Sequence, residues 1–183
     1  MNYYIDISIK PDAKMRENLL LNKVYTKLHK RLYDLKTSDV GVSFPDYKIK
    51  LGKIIRIHAT NLRLQEIIQD AWLGDLLGYC DVSVIQKIPD QVRYRTISRK
   101  QSNMTEAKLR RLIKRGSILQ DEIKGYKAKM FQQGIYNPYL ELVSGSNDHK
   151  HRRYIQFGEL VDQAISGKFD IFGLSKNATI PWF

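Results

Sequence analysis

The sequence of 183 residues has a single cysteine, Cys80. A lone cysteine excludes an internal disulfide bond and a zinc site built from several thiolates. This cysteine usage is typical of proteins in a reducing cytosol, so it predicts a cytoplasmic location. We expect Cys80 itself to be a packing residue.

Long apolar runs are also missing. No stretch of 18 apolar residues occurs, and residues 1–9 include Asp6 but no Lys or Arg. A membrane-spanning helix needs about 20 apolar residues, and a secretory signal begins with positive charge. The sequence therefore predicts neither a membrane span nor a signal peptide, and no membrane partner.

Acidic residues are scarce. There are 19 Asp and Glu against 31 Lys and Arg, which gives a formal net charge of +12. Such a charge favours polyanionic partners, although membrane-surface proteins and transcription factors share it. Residues 93–130 hold twelve Lys or Arg and three acids, which is nine of the twelve net charges. This concentration favours nucleic acid.

The N-terminal half has the pattern of an α+β fold. Ile5, Ile7 and Ile9 alternate with polar residues, which predicts a half-buried strand, and apolar residues at helical spacing predict a helix over 13–35. Two strands, a helix capped by Thr60 or Asn61, and a fourth strand follow. This order is that of a ferredoxin-like β-α-β-β-α-β unit, predicted for residues 1–88.

Residues 89–183 form the second predicted domain, which is α+β and less regular. Strands over 139–143 and 152–157 are predicted to form a hairpin around a Ser-Gly-Ser turn. Another strand is predicted over 170–174. Between residue 89 and this hairpin, the sequence predicts an extended segment with one basic face, followed by two helices.

The first of these helices is rich in arginine. It runs from Asn103, a candidate N-cap, to Gly116, a candidate stop, and Leu109, Leu112 and Ile113 form an apolar arc that we expect to dock. A solvated basic face is the alternative, but five cations with one acid are not an ordinary salt-bridged helix. The cations predicted to contact nucleic-acid phosphates are Lys108, Arg110, Arg111, Lys114 and Arg115.

Several motifs, in this order, carry a resemblance to a known family. They are Tyr4-Ile5-Asp6-Ile7, Lys27-Leu28-His29, Gly41-Val42-Ser43-Phe44-Pro45-Asp46, Arg56-Ile57-His58-Ala59, Tyr94-Arg95, Ser98-Arg99-Lys100-Gln101, Gly173-Leu174-Ser175-Lys176 and Pro181-Trp182-Phe183. Over nearly its whole length the chain resembles the type I-F CRISPR repeat-processing endoribonucleases, the hairpin-binding branch of the Cas6 superfamily.

The resemblance implies how RNA is bound and cut. The arginine-rich helix would lie along the major groove of the repeat hairpin, with Arg111 and Arg115 on phosphates and Arg99 and Gln101 on base edges near the foot of the stem. The cut would lie at the 3′ side of the stem and result from attack of the upstream 2′-OH, without a metal or other cofactor. The enzyme would then keep the guide RNA within the type I-F surveillance complex.

The Lys27-Leu28-His29 motif implies that His29 is the general base. Imidazole has an ordinary pKa of about 6.5, so it can accept the 2′-OH proton near neutrality. Ser144 matches the family serine that positions the ribose, although it could simply be a turn residue. His58, in a predicted strand, and His149 and His151, in a basic turn, are weaker catalytic candidates.

Two residues depart from the family pattern, which has tyrosine at the position of Phe172 and phenylalanine at that of His151. His151 is still predicted to stack beneath the terminal base pair. The missing tyrosine hydroxyl is the one observation that favours an alternative function, a noncatalytic subunit that binds an RNA hairpin. A metal-dependent nuclease is disfavoured because the acids do not cluster and lack the usual acid-x-Lys spacing.

Overall fold

The computed structural model of the protein describes residues 1–100, 104, 106–134, 137–143 and 150–183. The helices are α1 (Glu17–Asp34), α2 (Asn61–Gln69), α3 (Glu106–Lys114) and α4 (Glu122–Gly134). The strands are β1 (Tyr3–Ile9), β2 (Gly41–Ser43), β3 (Ile54–Ala59), β4 (Cys80–Val82), β5 (Gln86–Lys87), β6 (Arg93–Arg95), β7 (Ile97–Lys100), β8 (Tyr139–Val143), β9 (Lys150–Phe157) and β10 (Ile180–Trp182). This mixture confirms the α+β class.

The N-terminal half forms an antiparallel sheet in the order β2-β3-β1-β4, with β5 also paired to β1. Its strands and helices follow the predicted order β-α-β-β-α-β. The predicted alternation in β1 is confirmed, because Ile5, Ile7 and Ile9 are buried. A short 3-10 helix over Gly74–Tyr79 was not predicted.

Helix α1 lies against this sheet and carries one stripe of buried residues. Helix α2 begins where the sequence predicts, since the Thr60 hydroxyl accepts a hydrogen bond from the Arg63 backbone N–H at 3.3 Å. This hydroxyl satisfies one of the amides left without a partner in the first helical turn. The buried stripe of α1 consists of Leu20, Leu21, Val24, Tyr25, Leu28 and Leu32.

A second antiparallel sheet, in the order β7-β9-β8, packs onto the same core. The predicted hairpin of β8 and β9 is confirmed by their register. Leu140, Leu142 and Ile155 are buried on its inner face. The backbone N–H of Glu141 also donates to the Asn22 side-chain oxygen at 3.0 Å, which ties β8 to α1. Helix α1 therefore contacts both sheets.

Residues 170–174 form a tight turn, so the strand predicted there is wrong. The Gly173 N–H donates to the Asp170 carbonyl at 2.9 Å, and the Asp170 N–H donates to the Leu174 carbonyl at 2.8 Å. The Asp170 carboxylate accepts from the N–H groups of Phe172 and Leu174, both at 2.9 Å. Aspartate side chains commonly stabilise turns in this way. The backbone groups of this segment are therefore bonded within the turn and not to a neighbouring strand.

Glycine is required inside this turn at position 173. Gly173 has a φ of +70°. A Cβ atom there would lie 2.3 Å from Cγ2 of Val42. The Gly173 carbonyl also accepts from the Val42 N–H at 2.8 Å. The turn is thereby fastened to β2.

Helix α3 is largely exposed. Leu109 is buried, but Ile113 is 44% exposed, so the predicted docking arc is wrong at Ile113. Only a narrow line of the helix surface meets the rest of the protein, and Ile113 lies outside it. Gly116, with a φ of +63°, ends the helix as predicted, through N–H bonds from Gly116 to Ile113 and from Ser117 to Leu112.

Within the described ranges, no helix is both long and apolar enough to cross a bilayer.

Candidate active site and basic surface

His29 lies on the partly exposed edge of α1, next to the buried stripe. Its Nδ1 is 2.8 Å from the carbonyl oxygen of Ile171. A carbonyl oxygen can only accept, so Nδ1 carries the proton of this hydrogen bond. In the neutral imidazole Nε2 then has a free lone pair. The geometry gives His29 the tautomer that a general base needs.

Phe172 stacks directly on His29. The two ring centroids are 3.6 Å apart and the planes are inclined by 11°. The hydrogen bond to Ile171 and the stacked ring restrain the imidazole in two different directions. A hydroxyl at position 172 is therefore not the only means of orienting His29.

The turn that carries Phe172 is tied to α1 by Tyr25. The Tyr25 hydroxyl donates to the Phe172 carbonyl at 2.7 Å. The Tyr25 and Phe172 rings are also nearly parallel, with centroids 6.3 Å apart. Burial raises the pKa of Tyr25, which keeps its hydroxyl a donor. Tyr25 and His29 are four residues apart, on one helix face, so one turn of α1 holds both contacts.

The inner face of the second sheet brings arginines to this site. Arg153 on β9 places its guanidinium carbon 3.5 Å from the centroid of the Phe172 ring. Arg99 on β7 pairs with Ile155 and is close enough that its charge lowers the pKa of Arg153, although burial is the larger cause. His151 is exposed, and strand alternation puts it on the same face as Arg153. His29, Arg99, Arg153 and Phe172 thus form one cluster.

A polar cavity of about 480 Å³ opens beside Arg99. Three cations line it, together with hydroxyl and amide side chains. This lining suits the phosphate and ribose oxygens of a nucleic acid. The lining residues are Thr96, Ser98, Arg99, Lys100, Gln156, Gly158 and Lys176.

The predicted basic surface is present on α3 and just after it. Its cations are all exposed, while Leu109 faces inward. Arg111 bonds through Nε to the Ala107 carbonyl at 3.3 Å, which leaves the other guanidinium nitrogens to donate elsewhere. The exposed cations of this basic surface are Lys108, Arg110, Arg111, Lys114 and Arg115.

Gln101 and Ser144 lie outside the described residues, as do His149 and the predicted N-cap Asn103. The predicted roles of Gln101 in reading base edges and of Ser144 in positioning the ribose stay predictions. The described part of the chain contains no group of three or more His, Cys, Asp or Glu side chains that could hold a metal ion.

His58 belongs to the core and not to this cluster. It is fully buried in β3, and one ring nitrogen, Nε2, bonds to the Ser43 hydroxyl at 2.8 Å. Burial, reinforced by the charge of Arg56, lowers the pKa of His58 to about 3. Its environment keeps the ring neutral and away from solvent, as expected of a packing residue.

Sequence reasoning missed Arg153. The sequence predicts the hairpin, but Arg153 is one of several basic residues in β9 and belongs to no motif that distinguishes it from the others. Strand alternation places it on the same face as Ile155, and that signal was available. An arginine on the buried face of a strand is unusual enough to be a functional candidate.

Comparisons with known proteins agree with the family resemblance of the sequence. The model of the family described as "CRISPR-associated protein (Cas_Csy4)" matches residues 4–183. The chain is 31% identical over 184 residues to the "CRISPR-associated endonuclease Cas6/Csy4" of Escherichia coli (strain UTI89 / UPEC). It is 30% identical over 187 residues to the protein of the same name from Pseudomonas aeruginosa (strain UCBPP-PA14). Both alignments cover 100% of each chain.

Proposed function

This chain belongs to the Cas_Csy4 family of CRISPR-associated proteins, and from that premise we propose that it is a metal-independent endoribonuclease that processes CRISPR RNA. Its substrate is the repeat hairpin, which it cuts at the 3′ side of the stem. The observation that carries the proposal is His29, held by Ile171 and Phe172 in the tautomer whose Nε2 has the lone pair that accepts a proton.

The cut is a transfer of the phosphoryl group within the RNA. His29 Nε2 takes the proton of the 2′-OH upstream of the cut, and the resulting oxygen attacks the adjacent phosphorus. The bond from phosphorus to the 5′ oxygen of the next nucleotide breaks, and that oxygen leaves as a 5′-OH after it takes up a proton. The products are a 2′,3′-cyclic phosphate and a 5′-OH. Ser144 orients the ribose for in-line attack.

The hairpin is held by the basic surface and by the second sheet. Arg111 and Arg115 bind stem phosphates, with Lys108, Arg110 and Lys114 beside them. Arg99 and Gln101 contact base edges near the foot of the stem, a position supported by the nearness of Arg99 to the His29 cluster. His151 stacks beneath the terminal base pair.

The proposal includes the fate of the cleaved RNA. The protein stays on the 3′ hairpin of the guide RNA and joins the other subunits of a type I-F surveillance complex. We place it in the cytoplasm, in keeping with a lone, buried Cys80. The exposed cations of α3 suit prolonged retention of a polyanion.

The test uses the cognate repeat hairpin with and without a 2′-OH at the cut. We expect cleavage to persist in excess EDTA and to be lost on the hairpin with the single 2′-deoxy substitution, while binding is retained. His29→Ala is expected to reduce the single-turnover rate by roughly 10²- to 10⁴-fold, the loss typical of a general base, without weakening hairpin affinity. Metal dependence, or cleavage of the deoxy hairpin, contradicts this mechanism.

The second function to separate is that of a noncatalytic hairpin-binding subunit. The absence of a hydroxyl from Phe172 is the observation that favours it. Binding of the intact hairpin without any cleavage by the wild-type protein would establish this alternative. Restoration of cleavage by Phe172→Tyr would then identify the hydroxyl as the missing group.

A further inference from the structure

Arg153 is an unusual arginine because it is buried. Only 6% of it is exposed, and within the described part of the chain its buried Nε has no hydrogen-bond partner. A buried guanidinium is destabilising unless other contacts offset the loss of hydration. The pKa of Arg153 is lowered by this burial and raised by Tyr25. Nearby groups must therefore offset the hydration that the Arg153 guanidinium loses on burial.

The face of the Phe172 ring is one such group, beside the Asp170 carboxylate, whose charge raises the pKa of Arg153. The Arg153 guanidinium carbon and the His29 ring centroid lie 3.5 Å and 3.6 Å from the centroid of the same phenyl ring. Two groups cannot both occupy one face at those distances, so they lie on opposite faces. Arg153, Phe172 and His29 therefore form a three-layer stack, with a cation–π contact behind the ring and a ring stack in front of it.

We propose that Arg153 is a positioning residue for the cleavage reaction, which holds Phe172 from behind and thereby keeps His29 Nε2 aimed at the 2′-OH. This inference rests on the proposed role of His29. The phenyl ring of Phe172 has no polar group with which to fix itself. A cation on its rear face opposes sliding and tilting, because the attraction is strongest when the charge lies over the ring centre.

The size of the expected effect depends on how steeply reaction rate varies with geometry. Displacement of a reacting group by about 1 Å can reduce a rate by about 10²-fold. Loss of the charge behind Phe172 is therefore expected to slow chemistry and to leave RNA binding nearly intact. A residue that merely contacted RNA would instead change affinity.

The test is Arg153→Met, a neutral side chain of similar length, in the full-length protein. We expect its single-turnover cleavage rate to fall by about 10- to 100-fold, with its affinity for the single 2′-deoxy hairpin changed less than about threefold. Arg153→Lys, which keeps the buried cation, is expected to recover part of the rate. A wild-type rate for Arg153→Met, or a loss of rate matched by an equal loss of affinity, overturns the proposal.

The matched control is Arg152→Met. Arg152 is the neighbouring residue on β9, faces the opposite side of the sheet, and also makes a cation–π contact, with Tyr139 at 4.5 Å. The same substitution there removes a comparable contact far from Phe172, so we expect a rate within about twofold of wild type. An equal loss of rate in both variants would mean that β9 was disturbed generally, which also overturns the proposal.

A double-mutant cycle tests whether the charge acts through the ring. Arg153→Met in a Phe172→Leu background is expected to have almost no further effect on rate, because the layer that transmits the contact is gone. Independent, additive losses overturn the proposal. Should Arg153→Met not fold, Arg153→Gln is subject to the same outcomes.

A spectroscopic measurement separates positioning from general destabilisation. The proton on Cε1 of His29 should show a ring-current shift from Phe172 in the NMR spectrum, and we expect Arg153→Met to reduce that shift. An unchanged shift together with a lower rate overturns the proposal. His29→Ala distinguishes failure of the proposed function from failure of the proposed role of Arg153. Cleavage by His29→Ala at the wild-type rate refutes the proposed function. A slower rate in His29→Ala, but not in Arg153→Met, refutes only the role of Arg153.

Discussion

The N-terminal sheet and α1 pack through buried apolar faces, whereas the basic segment of α3 and α4 is mostly exposed. Helix α1 buries a full stripe of apolar residues, including Leu28, whereas α3 has one buried residue, Leu109, among those described. The catalytic candidate His29 belongs to the packed region, while the phosphate-binding candidates belong to the exposed one. Under the proposed function, chemistry that depends on distances would be carried out from the packed region, and binding that depends on charge would occur at the exposed one.

The sharpest test of this contrast compares apolar residues of the two helices. Leu28 is fully buried, so Leu28→Ala is expected to reduce the free energy of unfolding by about 2–5 kcal/mol. Ile113 is 44% exposed, so Ile113→Ala should change it by no more than about 0.5 kcal/mol. Urea denaturation measures both. Equal losses would show that α3 is packed as firmly as α1.

Charge reversal probes the exposed region. Arg111→Glu with Arg115→Glu should weaken hairpin binding and reduce the slope of log K against log salt by roughly 1.4 to 1.8, since each lost phosphate contact removes about 0.7 to 0.9 of a released ion. The free energy of unfolding should change little. Lys48→Glu with Lys50→Glu makes the same change of net charge on exposed lysines between β2 and β3 and serves as the control. Equal effects of the two pairs would refute a specific role for α3.

A third test concerns His58 in the packed region. Burial lowers its pKa to about 3, whereas an unfolded histidine has a pKa of about 6.5. The unfolded state therefore binds more protons between these values. The contribution of His58 to the free energy of unfolding is fully present above pH 6.5 and is lost as the pH falls toward 3. The slope from this residue is at most about 1.4 kcal/mol per pH unit.

His58→Gln isolates this contribution. The wild-type protein should lose stability more steeply than the variant between pH 6 and pH 4 in urea denaturation. If both proteins show the same slope, His58 takes up its proton without unfolding, and the core around β3 is less closed than its burial indicates.

Local features of the fold could be predicted from the sequence. The alternation in β1, the apolar stripe of α1, the Thr60 cap and the Gly116 stop each depend on a few neighbouring residues, and all are confirmed. The two errors differ in cause. At 170–174 the turn is made by local hydrogen bonds to Asp170, a signal that the alternation of residues does not contain. The docking of Ile113 required knowledge of what packs against α3, which periodicity alone does not contain.

Three features follow from the amino-acid sequence alone: the element order, the concentration of positive charge in residues 93–130, and the resemblance that identifies His29 as a candidate. How His29 is held follows from the packing of distant segments. Ile171 is 142 positions away along the chain, and no local pattern links it to His29. Tyr25 fastens the turn to α1 and Gly173 fastens it to β2, while the second sheet brings Arg153 onto the Phe172 ring. Propensity and periodicity describe one segment at a time, whereas a stack of three side chains depends on how three segments pack.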